Sequence, residues 1–289
     1  MIRKSKWQGW NAWTIPAFAL TCVISLIPWC IMIYNSFFDT SYSNVSSGSF
    51  VGLDNYREAF SDSSFIISLW NTAKIMLIAL PLEFIIGLVL ALIVWKHLKM
   101  RKFVVPILII PMIISPSVVG LIWNLNLNPV FGPVGIWLRE AGLSPDGLLS
   151  NIKTALAAIT MIDVWQWTPL VMLITLAGLV SLSSDFYEAA QIDGATAWQV
   201  FWGITLPLIR PTVVAAAMLR FMDSVKTFDQ IYVTTQGGPG IASQTLNLYV
   251  FDQAFQYLHF GYASALLVVL FFVILAGNLV LVSVRRGQA

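Results

Sequence analysis

Long stretches of this chain carry no charge, and short polar segments separate them. Trp7 to Phe38 and Phe103 to Leu138 contain no Asp, Glu, Lys or Arg. A helix needs about 20 mainly apolar residues to cross a hydrocarbon core about 30 Å thick. The apolar runs reach that length at six places: 12–34, 71–95, 103–125, 155–180, 206–230 and 262–284. The pattern therefore predicts an all-α integral membrane protein with six transmembrane helices. The first run is too long and too far along the chain for a secretory signal, so it is expected to remain as a span.

Composition agrees with this and charge adds orientation. Only 10% of the 289 residues are charged, against about 25% in a soluble domain. Arg3, Lys4 and Lys6 precede the first span, Lys96, Lys99, Arg101 and Lys102 crowd the link between the second and third, and Arg285 and Arg286 follow the sixth. The segment after the first span holds Asp39, Asp54, Glu58 and Asp62 against Arg57 alone. The excess of Lys and Arg on cytoplasmic connections puts both termini and that link inside. Alternation puts the loop 181–205 there too. The expected organisation is a cytoplasmic segment 1–11 followed by a six-span domain 12–289. Trp7, Trp10, Trp13, Trp29, Trp70 and Trp95 fall near span ends, as an aromatic belt requires. Cys22 and Cys30 lack metal or redox spacing and read as small membrane-buried residues.

The cytoplasmic loop carries the stretch EAAQIDGATAWQVFWGITLP, Glu188 to Pro207. It reads as helix, sharp turn, helix. Ser183 or Ser184 can cap the first helix, with Asp185 favourable in its first turn. Gly194 stands where a left-handed residue ends a helix. Thr196 with Gln199 matches a capping box for the second helix. That helix then exposes Trp198, Phe201 and Trp202. One reading is an amphipathic linker on the membrane surface; the other is a protrusion built to dock on a protein.

The spacing separates these readings. Glu-Ala-Ala, then Gly, then Ile-x-Leu-Pro, at the intervals found here, resembles without departure the EAA signature of ABC-importer membrane subunits. Chance recurrence is on the order of once in 10⁸ windows. In that family the loop is the coupling helix that seats in a groove of a separate ATPase. The resemblance assigns the coupling role to Glu188, Ala189, Ala190, Asp193, Gly194, Ile204, Leu206 and Pro207. FVGLDNYREAF (Phe50 to Phe60), FDQIYVTTQGGPG (Phe228 to Gly240) and the later GYASA are similar to the carbohydrate-uptake branch of binding-protein-dependent permeases. Within it the first stretch resembles the first-listed permease of maltose and glycerol-phosphate systems more than its shorter companion.

The resemblance implies the architecture of a type I ABC importer permease in the bacterial cytoplasmic membrane. It also implies a second six-span permease, two ATPase subunits, an extracytoplasmic solute-binding protein and a sugar substrate. ATP and Mg belong to the ATPase: no Gly-Lys dipeptide and hence no phosphate-binding loop occurs in this chain. No cofactor, metal, nucleic acid or catalytic residue is expected.

Ionisable residues inside spans are expensive and mark candidate sites. Lys74 and Glu83 lie in the second span, Asp163 in the fourth, and Arg210, Arg220 and Asp223 in the fifth. Lys74 and Arg210 sit near span ends, and Arg210 is expected to snorkel. Glu83 suits an interhelical hydrogen bond as well as a transport role. At helical spacing Arg220, Asp223, Ser224, Thr227 and Ile231 share one face, while Asp229 points the other way. Registered from the EAA motif, 220, 224 and 227 match sugar-contacting positions of the maltose permease, and the same registration puts Asp163, Trp167 and Leu170 on the substrate-facing side of the fourth span. The resemblance thus makes Asp163, Trp167, Arg220, Asp223, Ser224 and Thr227 the substrate-site candidates. Arg220 and Asp223, one turn apart, can instead neutralise each other. If Arg220 lacks a partner, a phosphorylated, sulfonated or uronic sugar is expected.

Other readings are an ABC permease for a non-sugar solute, an ion-coupled secondary transporter and an intramembrane hydrolase. The last is opposed by His97 and His259 lying in connections on opposite sides and by the absence of H-E-x-x-H.

Overall fold

The computed structural model describes residues 8–42, 48–96 and 101–286. Arg3, Lys4, Lys6, Trp7, His97 and Lys99 lie outside the described residues, as do the side chains of Trp10, Trp13, Arg101, Arg285 and Arg286. Among the described residues the regular structure is helical apart from one short hairpin. The chain divides into two compact units, one made of 1–62 with 250–271 and the other of 63–249 with 272–289.

The first unit contains α1 (Gln8–Asn35), the antiparallel pair β1 (Phe38–Asp39) and β2 (Ser49–Phe50), and α2 (Asp54–Ser61). The stretch Phe50 to Phe60 serves as its joint. Gly52 turns the chain at φ 60°. Asn55 Nδ2 then donates to the carbonyls of Ser36 (2.9 Å) and Phe38 (3.1 Å), and Tyr56 Oη donates to Ser36 Oγ (2.7 Å). These bonds satisfy carbonyls left open where α1 ends. Gly261 lies so close to the hairpin that a Cβ there would stand 2.0 Å from the Phe38 carbonyl oxygen.

The second unit begins with α3 (Ser63–Lys96), then α4 (Arg101–Leu108), α5 (Ile110–Ile113), α6 (Pro116–Asn126) and α7 (Pro133–Glu140). It continues through α8 (Ala155–Val180), α9 (Asp185–Ile192), α10 (Ala197–Val200), α11 (Leu206–Val225) and α12 (Asp229–Thr234). α13 (Leu246–Phe251) and α14 (Phe260–Arg286) follow, with residues 250–271 of these belonging to the first unit. A wide-turned π segment, Phe201–Thr205, joins α10 to α11, so that Ala197–Val225 is one continuous helix of 29 residues. The core of this unit lies where α3 packs along α8, with Ala91, Val94, Met172, Leu176, Leu179 and Ile209 buried together. Gly87 makes that approach possible, since a Cβ there would lie 2.9 Å from Val171 Cγ1.

Among the described residues, five helices are long and apolar enough to span a membrane alone. The expected third span, 103–125, is instead broken into α4, α5 and α6. Pro106, Pro111 and Pro116 recur every five residues, and each lacks the N–H that a continuous helix needs. At Ile114 and Ser115 the backbone is extended. The second span starts at Ser63, earlier than the expected residue 71, and the fifth stops at Val225, before the expected 230. Thr227 and Ile231 therefore do not continue the face of Arg220.

Irregular backbone inside a membrane protein must find its hydrogen bonds within the protein. The freed carbonyl of Lys226 accepts from Asn247 Nδ2 (2.8 Å) and that of Thr227 from Thr245 Oγ1 (3.3 Å). After Gly237-Gly238-Pro239-Gly240, Asn71 of α3 donates to the carbonyls of Ile241, Ala242 and Gln244 at 3.1–3.2 Å. Thr72 Oγ1 accepts the Leu246 amide at 2.9 Å. This glycine-rich turn is held against buried α3 polar groups and is not a plain surface turn.

Candidate functional site

At one end of the Ala197–Val225 helix is the EAA loop. Ser183 Oγ accepts the Asp185 amide at 3.3 Å, and α9 runs to Ile192. Gly194 has φ 71°. The Ala195 amide bonds to the Ala190 carbonyl (2.9 Å) and the Gly194 amide to that of Gln191 (3.2 Å), the pair of bonds that closes a Schellman motif. The capping box then forms: the Gln199 amide donates to Thr196 Oγ1 (3.4 Å) and the Thr196 amide to Gln199 Oε1 (2.8 Å).

Glu188, Ala189, Asp193, Gly194 and Pro207 are exposed, whereas Ile204 and Leu206 are half-buried. Ala190 is 5% exposed and packs inside its own chain. Tyr187 ties the loop to the span through Thr205 Oγ1 (3.2 Å) and the Trp95 ring (5.3 Å between centroids). Phe186, Ile192, Trp198 and Trp202 remain exposed. So much uncovered apolar surface beside acidic side chains is what a protein-docking face requires.

Near the other end of the same helix, three helices bring their charges together. Arg220 of α11 is 1% exposed. Its Nε and Nη2 donate to Glu83 of α3 at 2.7 and 2.8 Å, and Nη2 also donates to Asp163 of α8. Glu83 and Asp163 are fully buried. The Trp167 ring lies beneath the guanidinium, 5.2 Å from Cζ to ring centroid, within cation–π range. Arg220 therefore pairs with Glu83 and Asp163 and not with Asp223, which is exposed. The fork of Arg220 matches a carboxylate in a way a lysine cannot.

These residues border a cavity of about 230 Å³ lined by Pro116, Asp163, Trp167, Arg220, Asp223 and the segment 226–230. Of the substrate-site candidates, Asp163, Trp167, Arg220, Asp223 and Thr227 line it and Ser224 does not; Leu170 does not line it either. The break after Val225 turns Lys226, Asp229 and Gln230 into it, residues that a continuous helix would have dispersed. Glu83 stands behind the wall as the second partner of Arg220. Sequence reasoning marked Glu83 as interior but did not join it to Arg220. Gln166 and Gln230, both buried, were the unread signals. Elsewhere, Lys74 Nζ lies 5.8 Å from the Trp70 ring centroid, and Arg210 is exposed.

Comparison with known proteins gives the family. Residues 83–287 match the family described as the binding-protein-dependent transport system inner membrane component. The chain is 35% identical over 256 residues to a sulfoquinovosyl glycerol transport system permease protein of Agrobacterium fabrum, covering 89% of this chain and 83% of that protein. It is 37% identical over 237 residues to a trehalose/maltose transport system permease protein of Thermococcus litoralis, covering 82% and 80%. Its fold superposes with TM-score 0.83 and 23% identity on a chain of a bacterial ABC transporter involved in the import of the acidic polysaccharide alginate, covering 96% of this chain and 95% of that one. With its folded EAA loop, its membrane helices and this match over most of its length, the chain belongs to the family of binding-protein-dependent transport system inner membrane components.

Proposed function

We propose that the chain is one of two permease subunits of an ATP-driven, binding-protein-dependent sugar importer, and that the cavity beside Arg220 is its share of the sugar path. The observation that carries this reading is the unbroken helix Ala197–Val225, which has the coupling loop at its start and the cavity at its end. A helix rises about 1.5 Å per residue, so the two ends are about 40 Å apart. A displacement of the loop by a closing ATPase dimer reaches the cavity along one stiff element. ATP and Mg are handled by that separate ATPase, and a solute-binding protein delivers the sugar from the extracytoplasmic side.

A cavity of about 230 Å³ falls below the roughly 300–1,000 Å³ usual for a complete ligand site. That suits half of a site completed by the second permease. Trp167 offers an aromatic face to a sugar ring, and the carboxylates offer acceptors to its hydroxyls. The cargo named for the Thermococcus relative, trehalose/maltose, is of that neutral kind.

A second reading, an anionic sugar, is favoured by the cargo named for the Agrobacterium relative, a sulfonated glycoside. The cation available to it is Lys226, exposed at the cavity, since Arg220 is already held between two carboxylates.

The test is ATP hydrolysis by the lipid-reconstituted complex, with its binding protein loaded in turn with maltose, trehalose and sulfoquinovosyl glycerol. Stimulation by a neutral sugar supports the first reading. Stimulation by the sulfonated sugar that Lys226→Gln abolishes supports the second. No stimulation by any sugar sinks both.

A further inference from the structure

Two buried glutamines decide which way the cavity wall can hydrogen-bond. The extended backbone at Ile114 and Ser115 leaves the Ile114 carbonyl outside any helix. Gln166 of α8, fully buried, donates its Nε2 to that carbonyl at 2.9 Å. A carbonyl can only accept, so Gln166 must present its amide nitrogen there and its Oε1 on the other side. That Oε1 accepts from Nε2 of Gln230. Gln230 must donate in turn, which fixes its own Oε1 away from Gln166. Amide ends are assigned from such networks, and this one starts at an atom whose role is not in question. The result is a directional relay from the break before α6 to the start of α12.

Gln230 is 2% exposed, lines the cavity, and its Oε1 is buried without a hydrogen-bond partner. A buried acceptor left unmatched costs about 1–3 kcal/mol, so native proteins rarely keep one without a purpose. On the same wall Asp163 Oδ1 also has no donor. The position is held from behind by Gly120 of α6: a Cβ there would come within 3.2 Å of the Gln230 carbonyl oxygen and 3.3 Å of its Cα.

We propose that Gln230 is a specificity-determining residue of the transport site, whose side-chain oxygen accepts a hydrogen bond from a substrate hydroxyl, with Gln166 and the Ile114 carbonyl as the positioning groups that keep it an acceptor. This rests on the reading that the cavity lies on the sugar path. It deepens that reading by naming the chemistry: this wall selects a donor, and so a free hydroxyl. An ether, a fluorine or an acidic oxygen at that place on the sugar is disfavoured.

The test uses the complete complex in liposomes, with its binding protein, and whichever of maltose, trehalose and sulfoquinovosyl glycerol is transported fastest. Uptake is measured for that sugar and for its monodeoxy and monofluoro analogues, at equal binding-protein occupancy. A fluorine accepts but cannot donate, so one position should lose about 10-fold in uptake with either replacement. In Gln230→Leu the parent sugar should lose a similar factor while the two analogues of that position do not, so that discrimination collapses. Gly120→Val, which presses on the Gln230 backbone, should weaken the same discrimination with the amide intact. Trp167→Ala separates the two claims. If it and Gln230→Leu both leave uptake unchanged in every sugar, the cavity is off the path. If Trp167→Ala impairs uptake but Gln230→Leu keeps full discrimination, or slows all sugars equally, the role given to Gln230 is overturned. Tolerance of fluorine at every position where deoxygenation is harmful would also overturn it, because it would make the wall a donor.

Discussion

The two ends of the Ala197–Val225 helix solve opposite problems. The EAA loop is exposed and closed mainly by its own residues: Thr196 with Gln199, the Gly194 amide with the Gln191 carbonyl and the Ala195 amide with that of Ala190. The Arg220 end is buried, charged and closed only by residues far away in the chain, Glu83 and Asp163. A loop whose bonds are internal can be pushed as a unit without unfolding. A cluster whose bonds bridge α3, α8 and α11 registers any relative shift of those helices. The contrast teaches how one helix can carry a rigid handle at one end and a responsive site at the other.

The strongest way to break the contrast is to remove the buried charge. Arg220→Gln leaves two carboxylates facing each other without a cation, and stripping one partner from a buried pair costs about 3–5 kcal/mol. The expected outcome is a large fall in thermal stability and yield of the purified complex. Adding Glu83→Gln should recover part of it, read as a coupling in a double-mutant cycle. Next in size is Gly87→Ala. With Val171 Cγ1 only 2.9 Å from the new Cβ, forced separation of α3 and α8 should cost about 1–3 kcal/mol, measured by the same unfolding transition.

The loop end should respond differently. At Gly194 a Cβ meets nothing within 4 Å, but φ is 71°. Gly194→Ala therefore strains only the local backbone, by about 1–2 kcal/mol. It should reduce coupling, seen as less sugar-stimulated ATP hydrolysis, while the thermal stability of the membrane domain changes little. Thr196→Ala removes one half of the capping box, worth about 1 kcal/mol, and should give a smaller loss of the same kind.

These differences also explain what the sequence made readable. The Gly194 turn and the Thr196–Gln199 capping box were legible because those partners lie within a few residues of each other, although Ser184 at the start of α9 makes no side-chain cap bond. Six apolar segments were legible for the same reason, being contiguous. Arg220 and Glu83 were each visible as charges inside a span, but they are 137 residues apart, and no local pattern pairs them. The nearby Asp223, one turn away, was the more obvious partner and the wrong one. Five-residue proline spacing in 103–125 was present on the page, yet apolar content outweighed it, and the broken span hid the Ile114 carbonyl that gives Gln166 its role. The early stop of the fifth span was hidden as well, because Asn247 and Thr245, which satisfy the freed carbonyls, come from a later segment.

The central claim is that the cavity beside Arg220 lies on the sugar path and is driven through the EAA loop. Its most direct test is sugar uptake per ATP hydrolysed in proteoliposomes holding the whole complex, for wild type and Trp167→Ala. The account predicts that Trp167→Ala lowers sugar uptake several-fold while the complex still assembles and hydrolyses ATP. Uptake and its ratio to hydrolysis unchanged from wild type would contradict it.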